Sequence, residues 1–163
     1  MAVENKYSDA DVAAGKKASA LSAYGTKQVT LVGTVAVAAA DDDGSIYRVI
    51  SGVPSSLVPV NIAIHNTAIT GGTDYDLGLY KPNSGAVVDA DILADGLDLS
   101  SAVTIATWNN AGLTTLSIAD GAETLGELSA QTDVDASYDI ALTANTVGTA
   151  AGTVRVTATF AYK

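Results

Sequence analysis

Residues 58–80, VPVNIAIHNTAITGGTDYDLGLY, indicate the fold class because they contain two segments in which apolar and polar residues alternate. In the first segment, residues 58–65, one face carries Val58, Val60, Ile62 and Ile64. In the second, residues 74–80, the inward face carries Tyr75, Leu77 and Leu79. Alternation with a period of two is typical of a half-buried β-strand. The polar linker contains Gly71-Gly72, so we predict a hairpin or a corner between two sheets.

The remaining sequence predicts more strands of the same kind. The last segment alternates most regularly and places on one face Val154, Val156, Ala158, Phe160 and Tyr162. Other predicted strands span residues 28–40, 46–50, 103–108 and 138–143, with a short strand or connector at 113–118. Helical spacing is confined to a brief stretch within residues 86–100 and a single turn at 123–128. This pattern predicts an all-β protein, an antiparallel β-sandwich that is jelly-roll-like, with an immunoglobulin-like sandwich as the alternative.

The length and composition fit one domain with a substantial core. Of the 163 residues, 48% are hydrophobic and only 16% are charged, against about 25% charged residues in ordinary soluble domains. A surface with so few charges is typical of a protein whose surface is covered by copies of itself or by a partner. It is equally typical of a stable β-domain rich in Thr and Ala.

The net charge of −10 is unevenly distributed. Residues 1–28 hold four lysines against three carboxylates, whereas residues 82–154 contain ten carboxylates and neither Lys nor Arg. Because phosphate contacts need clustered Lys and Arg, we expect neither nucleic acid nor an anionic membrane as a partner. The absence of cysteine excludes disulfides and thiolate metal sites. With no signal-peptide or transmembrane pattern visible, we expect synthesis in the cytosol.

Residues 1–27 differ from the rest of the chain and are predicted to form an extended arm before a single sandwich domain, residues 28–163. The arm is rich in Lys, Ser, Ala and Gly, and its isolated aromatic residues are Tyr7 and Tyr24. A disordered terminus is the simpler interpretation. The two tyrosines favour an arm that a partner orders.

No catalytic pattern is present. His65 is the only histidine and stands beside Asn66 at an outward strand position, so we interpret it as a surface residue rather than a metal ligand. The G-x-S-x-G motif of a serine hydrolase nucleophile elbow is absent. Glycoside hydrolysis would require aromatic side chains to bind the sugar, and Trp108 is the only tryptophan. Trp108 and Tyr80, at predicted strand ends, would act either as interface anchors or as caps of the core. We therefore expect a protein that is not an enzyme.

Two acidic clusters resemble loose calcium loops. One is Asp41-Asp42-Asp43-Gly44, and the other contains Asp89, Asp91, Asp95 and Asp98. Calcium takes six to eight oxygen ligands at close spacing, and neither cluster matches the EF-hand pattern. Solvated turns and a helix N-terminus account for these residues more simply, so we predict no cofactor. A carbohydrate- or calcium-dependent binding module remains the alternative function.

Several segments, in order, resemble a known family of virion proteins. These are residues 11–17 (DVAAGKK), 44–48 (GSIYR), 60–64 (VNIAI), 74–80 (DYDLGLY), 85–91 (GAVVDAD) and 95–98 (DGLD), followed by a closing Thr/Val strand. Together they are similar to the head decoration (cement) proteins of tailed bacteriophages. The resemblance implies a homotrimer on the outer capsid surface, an N-terminal arm that reaches onto the shell, and the major capsid protein as partner. It carries no catalytic motif.

The leading hypothesis from the sequence is thus a structural virion protein that clamps neighbouring capsid subunits. The residues expected to dock it on the capsid all lie in the arm: Lys6, Tyr7, Lys16, Lys17, Tyr24 and Lys27. A tail or neck component of the same virion is an alternative that the sequence does not separate from this one.

Overall fold

The computed structural model describes residues 27–108, 123–132 and 134–163. These residues form eight strands and one short helix: β1 (Gln28–Val37), β2 (Ile46–Pro54), β3 (Leu57–Asn66), β4 (Asp74–Tyr80), β5 (Val87–Leu97), β6 (Thr104–Ala106), α1 (Leu125–Leu128), β7 (Ser137–Thr146) and β8 (Gly152–Tyr162). The strands make two antiparallel four-stranded sheets. The predicted all-β antiparallel sandwich is confirmed. The predicted strand or connector at residues 113–118 lies outside the described residues.

The strands are ordered β1-β8-β3-β6 in one sheet, here the β1 sheet, and β2-β7-β4-β5 in the other, the β2 sheet. Four antiparallel pairs relate the two halves of the chain: β1 with β8, β2 with β7, β3 with β6 and β4 with β5. Two further pairs, β3 with β8 and β4 with β7, join these into sheets. The Gly71-Gly72 linker is therefore a corner between sheets, one of the two predicted possibilities.

The core lies between the sheets and is built by alternating inward residues. On β8 the predicted alternation is confirmed as far as Phe160, whereas Tyr162, at the strand end, is exposed. Facing strands contribute fully buried side chains such as Ile62 and Leu77. Burial of each aliphatic side chain of this size contributes about 1.5–3 kcal/mol. The Tyr75 hydroxyl, also buried, donates to the Val147 carbonyl oxygen at 2.6 Å.

A β-bulge in β3 changes the predicted inward face of residues 58–65. Pro59 pairs with Phe160 and Asn61 with Thr159, so Val60 is an extra residue in the strand. Pro59 is consequently buried, and Val60, predicted to face inward, is 41% exposed. Beyond the bulge the alternation resumes as predicted, with Ile62 and Ile64 fully buried.

Residues 87–97 form a strand, so the predicted helical spacing in this region was wrong. Leu77 of β4 pairs with Ala94 and Leu79 with Asp89, which leaves residues 90–93 of β5 opposite Gly78 alone. This bulge of four residues lies against Gly78, where a Cβ would overlap the backbone of Asp89 and Ala90. Because the bulge turns consecutive residues inward, it buries both Ile92 and Leu93 and hides the period of two.

Smaller differences concern element lengths. β2 continues to Pro54, beyond the predicted strand end at residue 50, through register shifts that let its backbone turn. β6 has only three residues. The predicted single helical turn near residue 125 is confirmed as α1, which Thr124 and Glu127 close with a reciprocal capping box.

Candidate functional site

Most of the predicted docking arm lies outside the described residues. Lys6, Tyr7, Lys16, Lys17 and Tyr24 all precede residue 27, so their role stays a prediction. Lys27 is described and exposed, and its carbonyl oxygen accepts a hydrogen bond of 3.2 Å from the Tyr162 amide. This bond fixes the start of β1 against the end of β8.

The first acidic cluster is used to build a turn. Asp41 accepts hydrogen bonds of 2.8 Å from the Ala38 amide and from the Tyr47 hydroxyl, and these bonds hold the pKa of Asp41 below its usual value. Asp43 accepts a 2.9 Å bond from the Val147 amide. The carboxylates therefore satisfy backbone and tyrosine donors, as expected of turn residues. Together with burial, their negative charges raise the pKa of Tyr75 to about 12.

Three residues of the second acidic cluster, Asp89, Asp91 and Asp95, lie on strand β5 rather than at a helix N-terminus, and Asp98 follows the end of that strand. Burial and a hydrogen bond to Asp91 raise the pKa of Asp89. Partial desolvation and the charges of Asp76 and Asp91 raise the pKa of Asp95, whereas the Ser100 side chain and amide lower that of Asp98. Among the described residues, no group of three or more His, Cys, Asp or Glu side chains is arranged to hold a metal ion.

The remaining single candidates have ordinary structural positions. His65 is exposed, and its Nδ1 lies 2.9 Å from the Thr104 hydroxyl, in agreement with the interpretation as a surface residue. Trp108 is buried within the core, which favours the core-capping interpretation. Tyr80 is also buried, but it pairs with Asp139 on the outward side of the β2 sheet and so does not cap the core between the sheets. The Tyr80 hydroxyl is hydrogen bonded to that of Thr143.

An ion pair that sequence reasoning missed supports the outward side of the β2 sheet. Asp139 is buried and accepts a 2.8 Å hydrogen bond from the Gly52 amide. Its other oxygen lies 3.6 Å from Nε of Arg48, whose side chain is partly exposed. The signal for this pair is weak in the sequence because Asp139 alternates like any outward strand residue. Only the register of β2 on β7 brings it to Arg48.

A groove of about 570 Å³ lies beside α1, lined in part by Ser55, Gly126 and Val134. Both carboxylate oxygens of Glu127 lie 2.7 Å from Nζ of Lys163 at its rim. The Lys163 ammonium, followed by the Thr124 amide and hydroxyl, lowers the pKa of Glu127 to about 2. These charges are already paired within the chain, so the groove offers a ligand mainly hydroxyl and small apolar groups.

The two sheets differ sharply in charge. None of the four strands of the β1 sheet contains Asp or Glu, whereas the strands of the β2 sheet contain six carboxylates: Asp74, Asp76, Asp89, Asp91, Asp95 and Asp139. Pairing arranges outward side chains of the β1 sheet in rows across four strands; two rows are Thr34–Arg155–His65–Thr104 and Val32–Thr157–Ala63–Ala106. We call this outward surface of the β1 sheet the carboxylate-free face. Within the described ranges, no helix combines the length and apolar character needed to cross a membrane.

Comparison with known proteins identifies a similar fold at low sequence identity. No family model matches the chain, and no curated protein does either. A chain in a structure of the capsid of Ralstonia phage GP4 aligns with a TM-score of 0.57 and 14% identity, over 84% of this chain and 85% of that one. A chain of the cyanophage Pam1 capsid asymmetric unit aligns with a TM-score of 0.42 and 13% identity, over 86% of this chain and 88% of that one. The β-sandwich of this chain is thus similar in fold to a chain of the Ralstonia phage GP4 capsid.

Proposed function

We propose that this chain is a structural component of a bacteriophage virion that binds the capsid. The observation that carries the proposal is the fold similarity to a chain of the Ralstonia phage GP4 capsid, which extends over most of both chains. The resemblance of several segments to phage head decoration proteins supports it independently, because that resemblance rests on strand and turn phrases in the sequence.

In the finer form of the proposal, the protein decorates the outer capsid surface as a homotrimer and clamps neighbouring major capsid subunits. A protein that binds only the assembled shell stabilises that shell by mass action, which opposes the outward pressure of packaged DNA. The arm residues would dock each copy, and the acidic surfaces that are left uncovered in the assembly would face solvent. Charge of one sign on the exposed body then keeps free particles apart.

We further interpret the sandwich as a jelly roll. The support is the pairing of β1 with β8, β2 with β7, β3 with β6 and β4 with β5, in two sheets of four strands. A jelly roll has eight strands in two sheets. An immunoglobulin-like constant domain has seven, with its first strand beside the second. Here β1 lies beside β8 and in a different sheet from β2.

We also propose that the role is structural rather than catalytic. The support lies in how the described carboxylates are used: Asp41 and Asp43 hold a turn, Asp139 holds the Gly52 amide and Arg48, and Glu127 caps α1. A group occupied in this way is not poised to exchange protons with a substrate.

The proposal is tested by co-sedimentation of the full chain with capsids assembled from the major capsid protein of the same virus. Wild-type protein is expected to bind saturably. Lys16→Glu combined with Lys17→Glu reverses charge in the arm and is expected to weaken binding at least tenfold, whereas Lys16→Arg with Lys17→Arg keeps the charge and the binding.

Two results would count against this account. Wild-type protein that stays in the supernatant at every concentration would contradict capsid binding itself. A Glu double variant that binds like wild type would remove the arm from the mechanism but leave the capsid as the partner.

A further inference from the structure

The carboxylate-free face is large for a surface of so acidic a protein. The chain carries 18 Asp and Glu residues, yet the strands of the β1 sheet contain none. The outward residues of β1 are exposed along the strand, and Val32 among them is 50% exposed. Strand length and spacing give this face an area of roughly 600 Å². That is near the lower limit for one side of a specific protein interface.

The side chains of this face suit burial against another protein. Thr and Ala predominate, and both lose little rotamer freedom when they are covered, Thr because it is β-branched and Ala because it has no rotamers. The Thr30 and Thr159 hydroxyls already pair at 3.0 Å, so these polar groups do not depend on water alone. Removing water from the carboxylate-free face therefore costs little free energy, and Val32 and the alanine residues of the face gain apolar contacts.

Arg155 supplies the charge that selects a partner. It is exposed in the middle of the face, where β8 lies between β1 and β3. Of the described cationic side chains, Arg48, Lys81 and Lys163 each have a carboxylate partner. No such ion pair involves Arg155 within the described part of the chain. A partner that covers this face has to bring a carboxylate to Arg155.

The opposite side of the same molecule has the required chemistry. The β2 sheet presents carboxylates, of which Asp91 and Asp95 on β5 are exposed. Two copies of a chain with net charge −10 repel each other when their acidic surfaces meet. Contact between the carboxylate-free face of one copy and the acidic side of the next replaces this repulsion with attraction.

We propose that the carboxylate-free face is a self-association surface, and that it is covered by the acidic β2-sheet side of a second copy of this chain. Such a contact joins two different surfaces, and an interface of this kind gives a closed ring when the rotation between copies closes and an open filament when it does not. The inference rests on the proposed homotrimeric virion role and assigns the surfaces that build the trimer. It does not require the capsid, so it is testable on the purified chain.

The test is the solution mass of the full-length protein by light scattering across a concentration series. We expect wild type to exceed the 16.3 kDa of one chain. Val32→Glu should raise the concentration for half-association about tenfold or more, because it places a carboxylate in the interface. Val134→Glu is the matched control: Val134 is 46% exposed in the groove beside α1 and lies outside the strands of both sheets, so its variant should associate like wild type.

Substitution of Arg155 tests whether the acidic side of a second copy is the partner surface, and it leaves the buried core unchanged because Arg155 is exposed. Arg155→Glu should weaken association as Val32→Glu does, and Arg155→Lys should keep most of it. An Arg155→Glu variant that associates like wild type would overturn the assignment of the acidic side as partner. Thermal melting of each variant shows whether an effect on mass comes from unfolding instead.

Failure of this inference is distinguishable from failure of the virion role. Wild-type protein that stays monomeric but binds capsids would overturn self-association and retain capsid binding. If Val32→Glu then abolishes capsid binding, the face docks a capsid protein rather than a second copy. A protein that associates through this face but ignores capsids would support the inference about the surface and contradict the proposed function.

Discussion

Gly33 lies where β1 crosses over β2, and its missing side chain lets the two sheets meet. A Cβ at this position would overlap the carbonyl oxygen and carbon of Val49, which are backbone atoms and have no freedom to rotate away. The inward positions of β1 on either side of Gly33 carry Leu31 and Val35, which are partly buried against the core. The close approach of β1 and β2 at this edge of the sandwich therefore requires glycine at position 33.

We expect Gly33→Ala to lower the free energy of unfolding by about 3 kcal/mol, the upper range for overpacking, because the strands have to separate. Chemical denaturation measures this loss. Thr34→Ala, at the neighbouring exposed position, changes a strand residue without a clash and should cost less than about 1 kcal/mol. Equal losses in the two variants would contradict the close approach of β1 and β2.

Asp139 makes a second prediction at the scale of one residue. Asp139→Ala leaves the Gly52 amide without its acceptor and removes the partner of Arg48, so a loss of about 2–3 kcal/mol is expected in denaturant unfolding. Arg48→Gln removes only a partly exposed charge from the same pair and should cost less than about 1 kcal/mol. Similar losses from both changes would show that the ion pair, rather than the hydrogen bond to Gly52, matters.

At the scale of the element, α1 is held by charge as much as by its capping box. Glu127 bonds to the Thr124 amide at 2.7 Å, and both its oxygens reach Lys163 at the end of the chain. These contacts favour the carboxylate over the carboxylic acid, which is why the pKa of Glu127 falls to about 2 from an ordinary value of 4.5. The short helix therefore joins the C-terminal residue to the sandwich.

The lowered pKa of Glu127 implies a defined pH dependence. The unfolded chain takes up a proton at this carboxyl near pH 4.5 and the folded chain only near pH 2, so the stabilisation is complete above pH 4.5 and is lost between these values. Thermal melting from pH 6 to pH 2 should show a smaller acid-induced decline for Glu127→Gln than for wild type. Glu123→Gln, whose carboxylate forms no ion pair within the described ranges, should decline like wild type.

Elements with regular alternation were predictable, and those with bulges were not. The face of β8 and the inward residues of β4 follow directly from their period of two. In β3, one extra residue moves Val60 outward. In β5, the four residues opposite Gly78 bring consecutive apolar side chains inward, a pattern that sequence reasoning interpreted as helical. A bulge depends on the partner strand, so the period within one strand does not reveal it.

The candidate surfaces needed the register between distant strands. His65 and the turn at Asp41 were recognisable from their neighbours in sequence. In contrast, the row that includes Thr34, Arg155 and His65 combines three strands far apart in the chain. The acidic stretch of residues 82–154 is visible in the sequence, whereas the absence of carboxylates from the strands of one sheet is not. That contrast appears only when the strands are assigned to sheets.

At the scale of the whole molecule, the two outward sides of the sandwich differ in charge, so the molecule is electrostatically asymmetric. The four strands on one side contain no carboxylate and expose Arg155, whereas the strands on the other side expose Asp91 and Asp95. Charge arranged in this way orients association and disfavours contact between two acidic sides. In the proposed virion role, the acidic surfaces that remain uncovered in the assembly face solvent.

The most direct test of the central claim is a cryo-microscopy comparison of capsids that lack this protein with the same capsids after incubation with saturating amounts of it. We expect added density on the outer surface, repeated with the capsid symmetry and large enough for the β-sandwich. Maps that are identical with and without the protein would contradict the proposal that it is a capsid-binding component of the virion.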